Sequence, residues 1–454
     1  MDETRNRMVQ LVGRAWDQVK SPLYRNAFFI MLTSIIGNAL GLFFWIVAFR
    51  FYNLTDAGFA LTMVNTVAFL AGVASLGLPI AIIRFLPESD GQKSLVNTAL
   101  TIAGALSAAI ALVFILGISW WAPGLVVVFG RIEYIPIVVV TAMAYAFGPI
   151  LDESAIAMRR ADLSMWRTTL FALVKIPLPV VFSIWLGTTL GGTLGVYASW
   201  SIAYGVSVLI AAFLFLPRAI PGYRPTPRFS RRRLRPMFAF STGNWAASLV
   251  GSAGALLLPL LIINTLQTMP SGVAVAPAGA VAIYYAATVV AGTLSVIPAA
   301  TMTSLYAEAS QRNAQRARDE RRAILLAVTL LVPGIIAMWM FAAPLLSLLF
   351  ALDRNADLGV TPLRFLSLAS IPAFLNSVLS TRVRVRKQVI PLIVSSSIAT
   401  VVTLVLGYLM LLAYGLPGLA AAVVLGLASA TPYLYLVAGK PMEAEPIEPA
   451  PTVP

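Results

Sequence analysis

The sequence predicts an all-α polytopic membrane protein: twelve transmembrane helices in two halves of six, related by a pseudo-twofold axis along the membrane normal. Three observations carry this. Of 454 residues, 59% are hydrophobic and 11% charged, with mean hydropathy +0.86, more apolar surface than a water-soluble core can hide. The apolar residues fall into twelve runs near the about 20 residues a bilayer requires. A weak repeat relates the second run of each half. Barrel strands would alternate apolar and polar over about ten residues, and the runs do not.

Along the chain, residues 1–26 come first, a cytoplasmic segment in which Met8, Leu11, Val12, Ala15, Trp16 and Val19 follow a helical period, as in a helix lying on the inner leaflet. The first apolar run is too long for a signal peptide's core. The spans are 27–49, 57–83, 97–119, 134–151, 166–187 and 192–216 in the N-lobe (27–217). In the C-lobe (237–437) they are 237–265, 277–304, 323–350, 361–380, 389–412 and 415–437. Between the lobes, 218–236 is a basic cytoplasmic linker, and 438–454, rich in Pro and Glu, is a disordered cytoplasmic tail.

Lysine and arginine fix the expected orientation. Of 32, the N-terminal segment, the even-numbered connections and the tail hold 27, Arg159, Arg160 and Arg167 among them; the opposite side holds Arg50, Arg131, Arg354 and Arg364. Both termini are therefore expected in the cytoplasm, with the chain in the plasma membrane. The net charge of +14 reports orientation rather than nucleic-acid binding. The one cation outside this pattern is Lys175. Without cysteine or histidine, thiol chemistry, imidazole bases and His/Cys metal sites are excluded, and no cofactor is expected.

The repeat pairs ASLGLPIAIIRFLPESDGQ (74–92) with SVIPAATMTSLYAEASQRN (295–313), Pro79 with Pro298, about 220 residues apart. Six spans per half is an even number, so both halves insert with the same orientation.

FWIVAFRFYNLTDAGFAL (44–61), SLGLPIAIIRFLPES (75–89), AYAFGPILDESAIAMRRADLSMWR (144–167) and AIYYAATVVAGTLSVIPAATMTSLYAEAS (282–310) resemble the polysaccharide transport family, the O-antigen-type flippases of the multidrug, oligosaccharidyl-lipid and polysaccharide exporter superfamily. The resemblance implies two six-helix lobes around a central cavity, with spans 1, 2, 7 and 8 lining it. It also implies a polyprenyl-diphosphate-linked oligosaccharide as cargo, with no enzymatic step.

Charge placement leads to a similar expectation. Asp and Glu are absent from the middle of every span, the nearest being Asp152 and Glu153 at the end of the fourth. A cation-coupled drug exporter, the first alternative, needs an intramembrane carboxylate. Lys175 lies nine residues past Trp166, about 13 Å along a helix, deeper than snorkelling reaches. With no acid within a turn, its expected partner is a transient anion such as a lipid-linked diphosphate; the structural reading is bonding to carbonyls freed by Pro177 and Pro179.

Arg84 is placed to receive the diphosphate at the inner mouth, or else to pair with Glu88 at i+4; Pro79 and Pro87 loosen the helix around it. Arg50 is the corresponding release-side residue. Asn38 and Asn244 bond sugar hydroxyls or glue helices together. The triplet at Asn53 lies too close to the membrane for glycosylation.

The second alternative, a membrane-embedded glycosyltransferase or polymerase, needs an external carboxylate cluster. Arg131, Glu133, Asp353, Arg354 and Asp357 form no compact acidic set. A receptor or scaffold would not require a twofold repeat. Expected partners are the lipid-linked oligosaccharide and membrane lipids, with no nucleic acid, and the chain is expected to act as a monomer.

Overall fold

The computed structural model describes residues 22–129, 132–185, 187–268, 275–295, 316–352, 355–385, 388 and 390–438. The amphipathic stretch 8–19, the second copy of the repeat beyond residue 295 and the tail beyond 438 lie outside them.

Among the described residues the regular structure is helical. Six long apolar helices form the first half: Phe28–Phe51, Leu54–Ala74, Gln92–Leu116, Tyr134–Ala157, Ala161–Trp185 and Gly192–Ala219, spans 1 to 6. In the second half, two bent pairs, Trp245–Leu256 with Leu258–Gln267 and Ile324–Met340 with Ala342–Phe350, each make one broken span. Pro277–Gly292, Ala356–Val383 and Ile390–Ala438, the last interrupted at Gly415 (φ 64°), supply the remainder. With Ile390–Ala438 divided at Gly415, the set has the twelve members that the hydropathy predicts.

The chain divides into two compact units, Met1–Leu249 and Val250–Pro454. The division falls inside the helix Arg231–Leu256, so the start of span 7 belongs to the N-terminal unit. Leu78, Ile82, Leu86, Val96, Ile150 and Leu216 pack with Tyr223 and Met237 in that unit's main core. Tyr223 belongs to a strap of extended chain along span 3, held where Asn97 Nδ2 donates to Arg224 O and Thr226 Oγ1, both at 2.9 Å.

Span 2 breaks after Ala74, but Pro79 is not the cause. Leu76 (φ 46°) and Gly77 (φ 75°) turn left-handed, and Pro79 sits in the first turn of the next helix, Leu78–Phe85, where its missing N–H costs nothing. The break is clasped by span 7: Ser241 Oγ donates to Leu76 O (3.1 Å) and Trp245 Nε1 to Gly72 O (2.9 Å). A Cβ at Gly77 would fall 2.8 Å from Ser241 Cβ, so this position takes only glycine.

Several boundaries differ from the hydropathy reading. Span 4 continues to Ala157 and span 5 begins at Ala161, so Asp152, Glu153 and Arg167 are helical residues rather than connection residues. The connection after span 3 folds into short helices, Ile118–Trp121, Pro123–Leu125 and Val126–Phe129. Trp120 and Trp121, with Trp185 at the end of span 5, are exposed there, away from the arginine-rich connections, as interfacial aromatics are.

Candidate functional site

Span 5 presents Arg167, Phe171 and Lys175 at i, i+4 and i+8, one face of a helix. Span 6 answers with Trp200, Tyr204 and Ser207, span 4 with Tyr145 and Asp152, and span 1 with Phe44 and Trp45. Together these side chains form a polar and aromatic column inside the N-terminal unit.

Lys175 is 1% exposed. Its Nζ lies 4.1 Å from the Trp200 ring centroid, 4.3 Å from that of Phe171 and 5.5 Å from that of Phe44. Among the described residues no carboxylate lies within ion-pair distance of it, and no carbonyl accepts from it. The structural alternative from sequence, bonding to carbonyls freed by the prolines, is thus not what holds it in this conformation. The rings do: at roughly 0.5–2 kcal/mol each, three together match the about 2.5–3.5 kcal/mol cost of a mid-span lysine. The cage is itself packed edge to face, Phe44 on Trp200 at 5.1 Å and Phe171 on Trp200 at 5.3 Å.

Two turns away the column carries an ion pair. Arg167 Nε donates to Asp152 Oδ1 at 2.7 Å and Nη2 to Asp152 Oδ2, a bidentate fork, with the side chains 8% and 18% exposed. The guanidinium also lies 5.4 Å from the Tyr204 ring centroid, and Nη1 reaches Ser207 Oγ at 3.4 Å. Tyr204 stacks on Tyr145 at 4.3 Å, and the Tyr145 hydroxyl accepts from Trp200 Nε1. Gly148 leaves room for the Tyr204 hydroxyl, which would stand 2.2 Å from a Cβ there. Contacts therefore run unbroken from Asp152 through Arg167, Tyr204, Tyr145 and Trp200 to Lys175.

Arg84, Arg50 and Asn38 do not join this interior. Arg84 pairs with Glu88 at 3.6 Å, the two side chains 60% and 69% exposed, the i+4 geometry that the sequence allowed as its alternative. Arg50, in the last turn of span 1, and Asn38, in its middle, are exposed. Asn244 is helical, but its side chain lies outside the described set.

Tyr145, Phe171, Trp200, Tyr204, Phe44, Asp152 and Arg167 were not identified as a set from sequence; the only local signal is Phe171, one turn before Lys175. At the far end of span 1, Asn53 caps span 2: its Oδ1 accepts from Asp56 N at 2.8 Å. Thr193 Oγ1 donates to the Asp56 carboxylate at 2.8 Å. Tyr52 donates to Pro179 O at 2.9 Å, tying span 1 to the broken part of span 5, and burial beside Asp56 pushes its phenol up to about 12.

No curated protein matches the chain. Among solved structures, an inward-facing multidrug resistance MATE family transporter of the MOP superfamily matches with a TM-score of 0.63 at 17% identity, covering 92% of this chain and 97% of that one. An outward-facing multidrug resistance MATE family transporter of the MOP superfamily matches with 0.60 at 17% identity, covering 92% and 94%. At such identity the likeness establishes the fold, that of the MATE transporters with their twelve helices in two lobes. A sequence profile described as polysaccharide biosynthesis protein matches residues 47–354, more than half of the chain. With the apolar helices, this match makes the chain a multi-pass membrane protein of the polysaccharide biosynthesis protein family.

Proposed function

We propose that the protein is a flippase that moves polyprenyl-diphosphate-linked oligosaccharide across the cytoplasmic membrane by alternating access and performs no covalent chemistry. Lys175 carries this reading: a mid-span cation with no carboxylate partner among the described residues suits an anionic cargo and repels a cationic one. Asp152, the carboxylate in the same column, is already committed to Arg167. The sugar-diphosphate crosses through the protein while the polyprenyl tail stays in lipid. Arg84 and Arg50, at opposite ends of spans 1 and 2, take in and release the phosphates, and Asn38 and Asn244 meet sugar hydroxyls. The lysine and arginine asymmetry sets both termini in the cytoplasm.

Vesicles containing the purified protein test this against cation-coupled drug export. A fluorescent polyprenyl-diphosphate sugar is expected to change leaflets and ethidium to stay outside. Lys175→Ala should cut translocation by about ten-fold or more while the protein still inserts, and Lys175→Arg should keep part of it. Gradient-driven ethidium movement without sugar-lipid movement would transfer the chain to the multidrug class.

A further inference from the structure

Lys175 ends the helix Ala161–Lys175, directly before the turn at Ile176 and Pro177. The backbone ladder is interrupted there, because neither Pro177 nor Pro179 has an N–H to donate. A flexible four-carbon stem thus leaves span 5 at its weakest point. Its ammonium is held by aromatic faces on three spans, Phe44 from span 1, Phe171 from span 5 and Trp200 from span 6. Such contacts are attractive without being saturating. A cation over a ring keeps all three of its N–H donors unspent, and each ring holds it by only about two- to thirty-fold. A diphosphate offers charge and several acceptor oxygens to the same group.

We propose that Lys175 is a two-position group: its ammonium docks in the Phe44, Phe171 and Trp200 cage when no cargo is bound, and the diphosphate of the cargo draws it out. The cage is then an internal competitor. It sets how much negative charge a ligand needs to capture the lysine, favouring diphosphates over singly charged or neutral lipids, and it pins spans 1, 5 and 6 together until that exchange. This rests on the reading of the cargo as a lipid diphosphate.

Competition makes a prediction of sign. Phe171→Leu removes a ring 4.3 Å from Nζ while keeping an apolar side chain, and Phe44→Leu removes the more distant ring at 5.5 Å. Binding of geranylgeranyl diphosphate to the detergent-solubilised protein should tighten about two- to five-fold in Phe171→Leu and by less in Phe44→Leu. Lys175→Met should weaken it about ten-fold or more, and the uncharged alcohol geranylgeraniol should respond to none of these changes. Melting temperatures supply a control independent of ligand: the loss caused by Phe171→Leu should shrink in the Lys175→Met background, since the ring then has no cation to hold.

Weaker or unchanged diphosphate binding in both ring variants would overturn the competition. Diphosphate binding by the wild type that Lys175→Met leaves intact would overturn the exchange and spare the flippase reading. No diphosphate binding by the wild type would overturn both. Additive melting losses in the double variant would overturn the cage as the lysine's resting place.

Discussion

In the N-terminal unit the buried polar side chains include Arg167 and Lys175; in the C-terminal unit, among the described residues, they are all hydroxyls: Thr265, Ser367, Ser370, Thr381, Ser395, Thr400 and Thr403. Several of these satisfy themselves on their own helix, as when Thr381 Oγ1 donates to Ser377 O or Ser395 Oγ to Leu392 O. Arg167 and Lys175 draw on other spans as well: Asp152 from span 4, Phe44 from span 1 and Trp200 from span 6. Their contacts tie spans 1, 4, 5 and 6 to one another. The C-terminal unit is held instead by close approach and short amide links, such as Asn376 Nδ2 to Leu427 O at 2.8 Å and Thr431 Oγ1 to Asn376 Oδ1 at 2.8 Å. Among the described residues, buried polar contacts are thus partly charged in the N-terminal unit and neutral in the C-terminal one.

The largest effect expected from this contrast is in the ion pair. Arg167→Met strands the Asp152 carboxylate in the column and should cost about 3–5 kcal/mol, read as a lower melting temperature and faster proteolysis of the N-terminal unit. The double change Asp152→Leu with Arg167→Met removes both charges and should recover most of that loss. A double variant as unstable as the single one would mean that packing around Arg167, rather than its charge partner, is what matters.

Much of this architecture was legible in sequence because bilayer thickness and charge asymmetry are written locally: a run of apolar residues and the basic residues after it need no knowledge of other spans. The partners of Lys175 were not legible, and the reason is physical. Lipid and protein interior are similarly apolar, so a span carries little periodic mark of which face meets lipid and which meets its neighbours. Phe171 is one turn from Lys175, but Phe44 and Trp200 are 131 and 25 residues away and read only as bulk hydrophobicity. Arg167 counts as a connection charge in the sequence because ADLSMWR lowers hydropathy at the start of span 5, although the helix begins at Ala161. In SLGLP the sequence points to Pro79 as what loosens the helix, whereas the left-handed Leu76 and Gly77 produce the break.

A middle-sized effect should come from the C-terminal unit's close approaches. Gly426 faces Thr403, and a Cβ there would fall 1.9 Å from Thr403 Oγ1 and 2.9 Å from Ala399 O. Gly426→Ala is expected to cost about 1–3 kcal/mol of stability by overpacking. Adding Thr403→Ala should return part of it, with the carbonyl still in the way. If Gly426→Ala instead abolished cargo binding at unchanged stability, fixed contacts would not be all that this unit contributes.

The smallest effect is expected at Tyr52, where the N-terminal unit has a neutral link between spans like that of Asn376 in the C-terminal unit. Its hydroxyl donates to Pro179 O, and Tyr52→Phe should cost about 0.5–1.5 kcal/mol, an ordinary single hydrogen bond. The sign of its pH dependence follows from the phenol being pushed up to about 12 by burial and by the Asp56 carboxylate. A phenol raised above its unfolded value near 10 favours the folded state fully below pH about 10. That contribution is lost as pH rises through about 12, because the phenolate cannot donate to Pro179 and is repelled by Asp56. Wild-type melting temperatures should therefore fall more steeply between pH 10 and 12 than those of Tyr52→Phe. Parallel pH profiles would overturn the hydrogen bond from Tyr52 to Pro179 O as a contribution to the stability of the tie between span 1 and the broken part of span 5.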